Sequence, residues 1–111
     1  MHVERSMRGN ITVMELVGDL DAVTASQIHT ELACLAPDGG QLLLDLSRCS
    51  YRSSLGLRVL LLLYRQARQK RLNLALACVP ANLHAVMSST GFVHRFLVTE
   101  TVEDAVEALE P

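Results

Sequence analysis

Ser53 and Ser54 are the side chains best placed to receive chemistry, because Ser53-Ser54-Leu55-Gly56 stands where an apolar strand region gives way to a helix. A helix N-terminus offers unpaired N–H groups and the positive end of the macrodipole, so a phosphate there is stabilised. The same two serines also read simply as N-cap residues. A serine nucleophile of the elbow type needs Gly-x-Ser-x-Gly, but position 52 is Arg and only the Ser54-x-Gly56 half is present. A chain of 111 residues is also too short for a hydrolase sheet with its triad and oxyanion loop. His2, His29, His84 and His94 follow no metal-ligand rhythm and read as surface or boundary residues. Cys34, Cys49 and Cys78 are odd in number and lack Cys-x-x-Cys spacing, which speaks against a disulfide framework or a zinc site and for reduced thiols in a cytoplasm. Cys49, beside Arg48, is a candidate reactive thiol. Gly39-Gly40 reads as a turn rather than a phosphate-binding loop, and two Tyr, two Phe and no Trp give no stacking platform for single-stranded nucleic acid. None of these patterns marks a catalytic triad, a metal site, a cofactor loop or a nucleic-acid platform, so no metal, no cofactor and no direct DNA binding are expected.

The elements that must position Ser54 follow from periodicity. Val3 to Met7 and Ile11 to Val17 are strand-like runs joined by Arg8-Gly9-Asn10, a hairpin turn. Ile11, Val13 and Glu15 alternate with Thr12, Met14 and Leu16, as in a strand covering a core with one face; Gly18-Asp19-Leu20-Asp21 then breaks the pattern. Thr24 to Leu35 reads as a helix with Ile28, Leu32 and Leu35 on one stripe, ended by Pro37-Asp38-Gly39-Gly40. Gln41 to Leu46 contains Leu42-Leu43-Leu44 without alternation, the mark of a strand buried on both faces. From the serines to about Gln69 the pattern is helical, with Leu57, Leu60, Leu61 and Tyr64 as the inner stripe and Arg58, Leu62 and Arg65 as a different one. Lys70 and Arg71 close that helix at its negative end. Leu72 to Cys78 reads as a strand, Pro80 starts a helix running to about Ser89, and Gly91 caps it. Phe96 to Val98 is a last strand, and Thr101-Val102-Glu103-Asp104 resembles a capping box opening a terminal helix. Strands alternating with helices after an opening hairpin predict an α/β fold: a mixed, mostly parallel sheet with helices packed on it.

Length and composition agree. With 111 residues, half of them apolar and a fifth charged, the chain reads as one domain over residues 1–111. The longest uninterrupted aliphatic run is Val59 to Leu63, far short of a membrane span. Glu4 and Arg5 stand where a signal peptide would be apolar, so a soluble cytoplasmic domain is expected. The net charge of −2 hides a segregation: no acidic residue lies between Leu46 and Thr99, yet eight basic ones do. Such a stretch can pair with the acidic flanks of its own chain or receive an acidic partner.

Four short motifs in register make the chain resemble the STAS domain family, and within it the small single-domain bacterial anti-sigma factor antagonists. Gly18-Asp19-Leu20-Asp21 is similar to the family's Gly-x-Leu-Asp turn before the first helix, and Leu44-Asp45-Leu46-Ser47 to its central Asp-Leu-Ser strand end. Ser53-Ser54-Leu55-Gly56-Leu57 matches its Asp-Ser-x-Gly-Leu signature without a gap, with Ser53 in place of Asp, and Thr90-Gly91-Phe92 resembles its Thr-Gly-apolar step. The resemblance implies a five-stranded mixed, mostly parallel sheet with about four helices. It implies a protein that binds an anti-sigma factor with serine kinase activity and so releases a sigma factor, reset by a phosphatase, and acting as a monomer or weak dimer. Carried over by position, the phospho-acceptor is Ser54, with Ser53 as a second acceptor. The docking face comprises Asp21, Thr24, Arg52, Ser53, Ser54, Leu55, Arg58, Leu62 and Arg65. The alternatives are a STAS module of a stress-signalling scaffold or a lipid-transport complex, and a nucleotide- or anion-binding sensor using the basic helix start.

Overall fold

The computed structural model describes residues 2–20, 30, 40–51 and 54–109. The hairpin forms as its turn chemistry requires: β1 (His2–Arg8) pairs antiparallel with β2 (Ile11–Leu20) in unbroken register from His2↔Val17 to Arg8↔Ile11. Gly9, at φ +62°, supplies the positive φ that a two-residue turn needs. Next come β3 (Gln41–Asp45), β4 (Cys49–Tyr51), α1 (Ser54–Gln69), β5 (Asn73–Ala77), α2 (Ala81–Thr90), a 3-10 turn (Phe92–Arg95), β6 (Leu97–Thr99) and α3 (Val102–Leu109). The strand order is β1-β2-β3-β5-β6, parallel except for the opening hairpin. This five-strand path is the expected mixed sheet.

Two features differ from the sequence expectation. A sixth, three-residue strand, β4, pairs with the far end of β2, so β2 does not stop at Val17 but runs on through Leu20. Three of the expected helices stand among the described residues, and the one expected over Thr24 to Leu35 lies outside them except for Thr30. On α1 the innermost residues are Leu60, Leu63 and Ala67, whereas Leu57, Leu61 and Tyr64 are only partly buried. Four consecutive leucines leave the phase of the inner stripe to be set by what the helix packs on.

The sheet is covered on both faces, which corrects the one-faced reading of β2. On one side Met14, Leu16, Leu42, Leu44 and Leu76 pack against Leu60 and Leu63 of α1 and Leu83 and Met87 of α2. On the other, Ile11, Val13, Leu43, Ala75 and Ala77 receive Ala105, Val106 and Leu109 of α3. The three leucines of β3 are thus buried on both faces, as their lack of alternation predicts. The helix ends follow local rules. Thr101 Oγ1 accepts the N–H of Asp104 at 3.1 Å to open α3, and Gly91 closes α2 at φ +81°.

Candidate functional site

The approach to Ser54 is built by short-range hydrogen bonds. Asp45, nearly buried at the end of β3, accepts the N–H of Ser47 at 3.0 Å, and Cys49 N–H donates to the Leu46 carbonyl at 3.1 Å. This turn is the physical reason for Asp-Leu-Ser at that position: a short carboxylate satisfies the backbone where the strand stops. The chain re-enters the sheet as β4, parallel to β2 with Gly18↔Cys49, Asp19↔Ser50 and Leu20↔Tyr51. Gly18, at φ +113°, donates its N–H to the Arg48 carbonyl at 3.1 Å, a conformation strained for any residue with a side chain. The Gly18-Asp19-Leu20 stretch and the segment leading into α1 therefore run side by side. Asn82 Nδ2 donates to the Tyr51 carbonyl at 2.7 Å, tying the last residue of β4 to the first turn of α2. The Tyr51 side chain packs against the larger core. Neither the β4 pairing nor the Asn82 tether was evident in the sequence; the Asp45–Ser47 spacing is the one local signal that marks this corner.

Ser54 is the first residue of α1 and Leu55 the second. Asp21, Thr24, Arg52 and Ser53 lie outside the described residues. Further along α1, Arg58, Leu62 and Arg65 all face solvent, with Leu62 43% exposed, while Leu63 beside it is 2% exposed. The stripe expected to be separate from the core is therefore on the surface. An aliphatic side chain framed by two arginines is a composition suited to the centre of an interface.

Two neighbouring cations have partners of their own. Arg48 pairs with Glu15 at 3.1 Å, and the Arg68 guanidinium lies 5.8 Å from the centroid of the Tyr64 ring. Tyr64 in turn meets Phe96 edge-on at 5.4 Å. The acidic flank thus takes up Arg48, and α1, β5 and α2 themselves carry no carboxylate. Arg58 and Arg65 are both exposed.

Cys49 sits in a setting that disfavours the thiolate. It is buried, and burial, followed by the nearby Asp19 carboxylate, pushes its pKa up to about 11. The neighbouring Arg48 spends its charge on Glu15 instead. Cys78 is shifted upward too, chiefly by burial and then by Asp45 and Glu103. Both are free thiols. His84 and His94 are exposed, as expected, and among the described residues no three His, Cys, Asp or Glu side chains gather where they could hold a metal ion. No described helix is long and apolar enough to cross a membrane.

Comparison with known proteins accords with this architecture. The family model described as "Mlab, STAS domain" matches residues 3–99. A "putative anti-sigma factor antagonist", BtrV of Bordetella bronchiseptica, is 35% identical over 96 residues, 86% of this chain and 83% of that protein. Among solved structures, an anti-sigma factor antagonist, so described provisionally, from Thermotoga maritima superposes with a TM-score of 0.85 at 16% identity, covering 96% of this chain and 93% of that one. A sulfate transporter family protein from Wolinella succinogenes gives 0.79 at 16% identity, over 94% of this chain and 88% of its own. The two structural likenesses establish the fold alone, since that fold serves both contexts. The family model and the Bordetella relative, each spanning most of the sequence, establish more: the chain belongs to the STAS domain family.

Proposed function

We propose that this protein is a cytoplasmic anti-sigma factor antagonist: a binding module, not an enzyme, whose partner is an anti-sigma factor with serine kinase activity. The observation that carries the reading is the solvent-facing stripe Arg58, Leu62 and Arg65 on the helix that begins at Ser54. The relationship to the Bordetella protein supports the choice of partner class. In this reading Leu62 anchors the interface, Arg58 and Arg65 steer an acidic partner, and Asp21, Thr24, Arg52, Ser53 and Leu55 complete the docking face. Ser54 is the phospho-acceptor that ends the interaction, and Ser53 a second acceptor.

The physical logic of the switch is local. A phosphate on Ser54 adds nearly two negative charges at the start of a sixteen-residue helix, where unpaired N–H groups and the helix dipole favour an anion. No acidic residue stands in the first turn of α1 to oppose it. The helix therefore tolerates the modification, and its cost falls on the partner, which meets new bulk and charge at the docking face. Ser53, in place of the family's Asp, leaves the acceptor without an adjacent carboxylate.

The test is phosphate mapping. Wild type, Ser53→Ala and Ser54→Ala are incubated with the cognate anti-sigma kinase and ATP, and the site is located by mass spectrometry. Modification lost only in Ser54→Ala supports the assignment; modification at neither serine with binding intact leaves a docking module without a switch.

A further inference from the structure

We infer that β1 is a self-association edge, by which two copies of this chain join antiparallel into one continuous sheet about a two-fold axis at Ser6. Among the described residues β1 lies at the end of the strand order and pairs only with β2, so no described strand covers its second edge. An unpaired edge carries a row of backbone donors and acceptors ready to accept another strand. Natural edges are blunted by proline, bulges, charged side chains or extreme shortness; β1 has seven residues, no proline and an unbroken register with β2, and its charges, Glu4, Arg5 and Arg8, are of both signs. Every residue from Glu4 to Arg8 is exposed, Met7 at 56%.

Backbone parity fixes which groups face outward. The two-residue turn Gly9-Asn10 makes Arg8↔Ile11 a hydrogen-bonded pair, so Arg8, Ser6 and Glu4 turn their backbone groups to β2. Val3, Arg5 and Met7 present theirs to the open edge. A symmetric antiparallel partner must then pair odd residues with odd residues, which confines the two-fold axis to a residue position. Centring on Glu4 or Arg5 sets like charges directly opposite each other, which is destabilising. Centring on Met7 sets Ser6 against Arg8 and Arg5 against Gly9, with no compensating pair. Centring on Ser6 sets Glu4 of each copy opposite Arg8 of the other, twice, and Arg5 opposite Met7. The sequence of this edge is therefore complementary to itself in one register. Cross-strand partners share a face, so Glu4 and Arg8 lie on the side of β2 that carries Val13 and Glu15, the side covered by α3.

Sedimentation velocity on the full chain over a range of concentrations tests this. Wild type is expected to show a reversible monomer–dimer equilibrium that weakens with salt. Glu4→Arg and Arg8→Glu should each raise the dimer dissociation constant about tenfold or more, by replacing attraction with repulsion at both pairs. Mixed together, these two variants should form a heterodimer where neither self-associates, because each then supplies the charge that the other lacks. Circular dichroism spectra matching wild type establish that the exposed substitutions leave the fold intact. A chain that stays monomeric at millimolar concentration overturns the inference. So does a dimer indifferent to both substitutions, or a mixture that associates no better than its components.

Discussion

Leu62 and Leu63 are adjacent, chemically identical and predicted to have opposite roles. Leu63 is 2% exposed and belongs to the larger core, whereas Leu62 is 43% exposed and outside it. Leu63→Ala cuts a buried isobutyl group between α1 and the sheet back to a methyl, a change that costs about 2–4 kcal/mol once the cavity is included. In a domain of this size that is a fall in melting temperature on the order of 10–20 °C. Leu62→Ala loses only the apolar contact of a half-exposed side chain, and alanine's helix propensity offsets part of that, leaving about 0.5 kcal/mol. Urea unfolding followed by circular dichroism separates the two. Against the anti-sigma factor the order reverses: Leu62→Ala should weaken binding by about 1–2 kcal/mol, as loss of an interface anchor does. Equal destabilisation by the two substitutions, or a Leu62→Ala protein that unfolds, would refute the assignment of the outward stripe.

Three further outcomes follow from particular residues. Arg71 sits at φ +59° just past α1, where Leu72 N–H bonds back to the Ala67 carbonyl at 2.8 Å, so Arg71→Gly should relieve left-handed strain and raise stability by about 0.5 kcal/mol net of glycine's entropy, read by thermal melting. Cys49 holds its proton to about pH 11 in the folded chain while the unfolded chain ionises near the ordinary 9.0, so stability should decline as pH rises through that interval, and Cys49→Ser should flatten the decline in pH-dependent unfolding. Intact mass under non-reducing conditions, with and without alkylation, should show every cysteine reduced, with Cys49 unlabelled by iodoacetamide at neutral pH until the protein is unfolded.

Much of the scaffold was legible because its signals are local. The Gly9-Asn10 turn, the doubly buried Leu42-Leu43-Leu44 run, the Gly91 cap and the Thr101 cap each act within a few residues, and each appears where its chemistry places it. What was not legible depends on distant partners. β4 is three residues long and exists because β2 continues past Gly18 to pair with it, which no window around Cys49-Ser50-Tyr51 can reveal. The phase of α1 within Leu60 to Leu63 is likewise decided by the sheet beneath it. Cys49 looked activated beside Arg48 in sequence, but that guanidinium reaches Glu15, thirty-three residues away, and the thiol turns inward. Of the candidate site, the exposure of Arg58, Leu62 and Arg65 was readable from spacing, and the placement of Ser54 at a helix start from its N-cap chemistry. The Asn82 tether to the Tyr51 carbonyl was not, because it joins segments thirty-one residues apart.

The central claim is that α1 presents a docking face whose occupancy is governed at Ser54. Calorimetric titration of the cognate anti-sigma factor with wild type, Ser54→Ala and Ser54→Asp tests it most directly, with circular dichroism and melting recorded for each. The account predicts that Ser54→Ala binds like wild type and that Ser54→Asp keeps its spectrum and nearly its melting temperature while losing most of its affinity. Undiminished binding by a folded Ser54→Asp protein would contradict it.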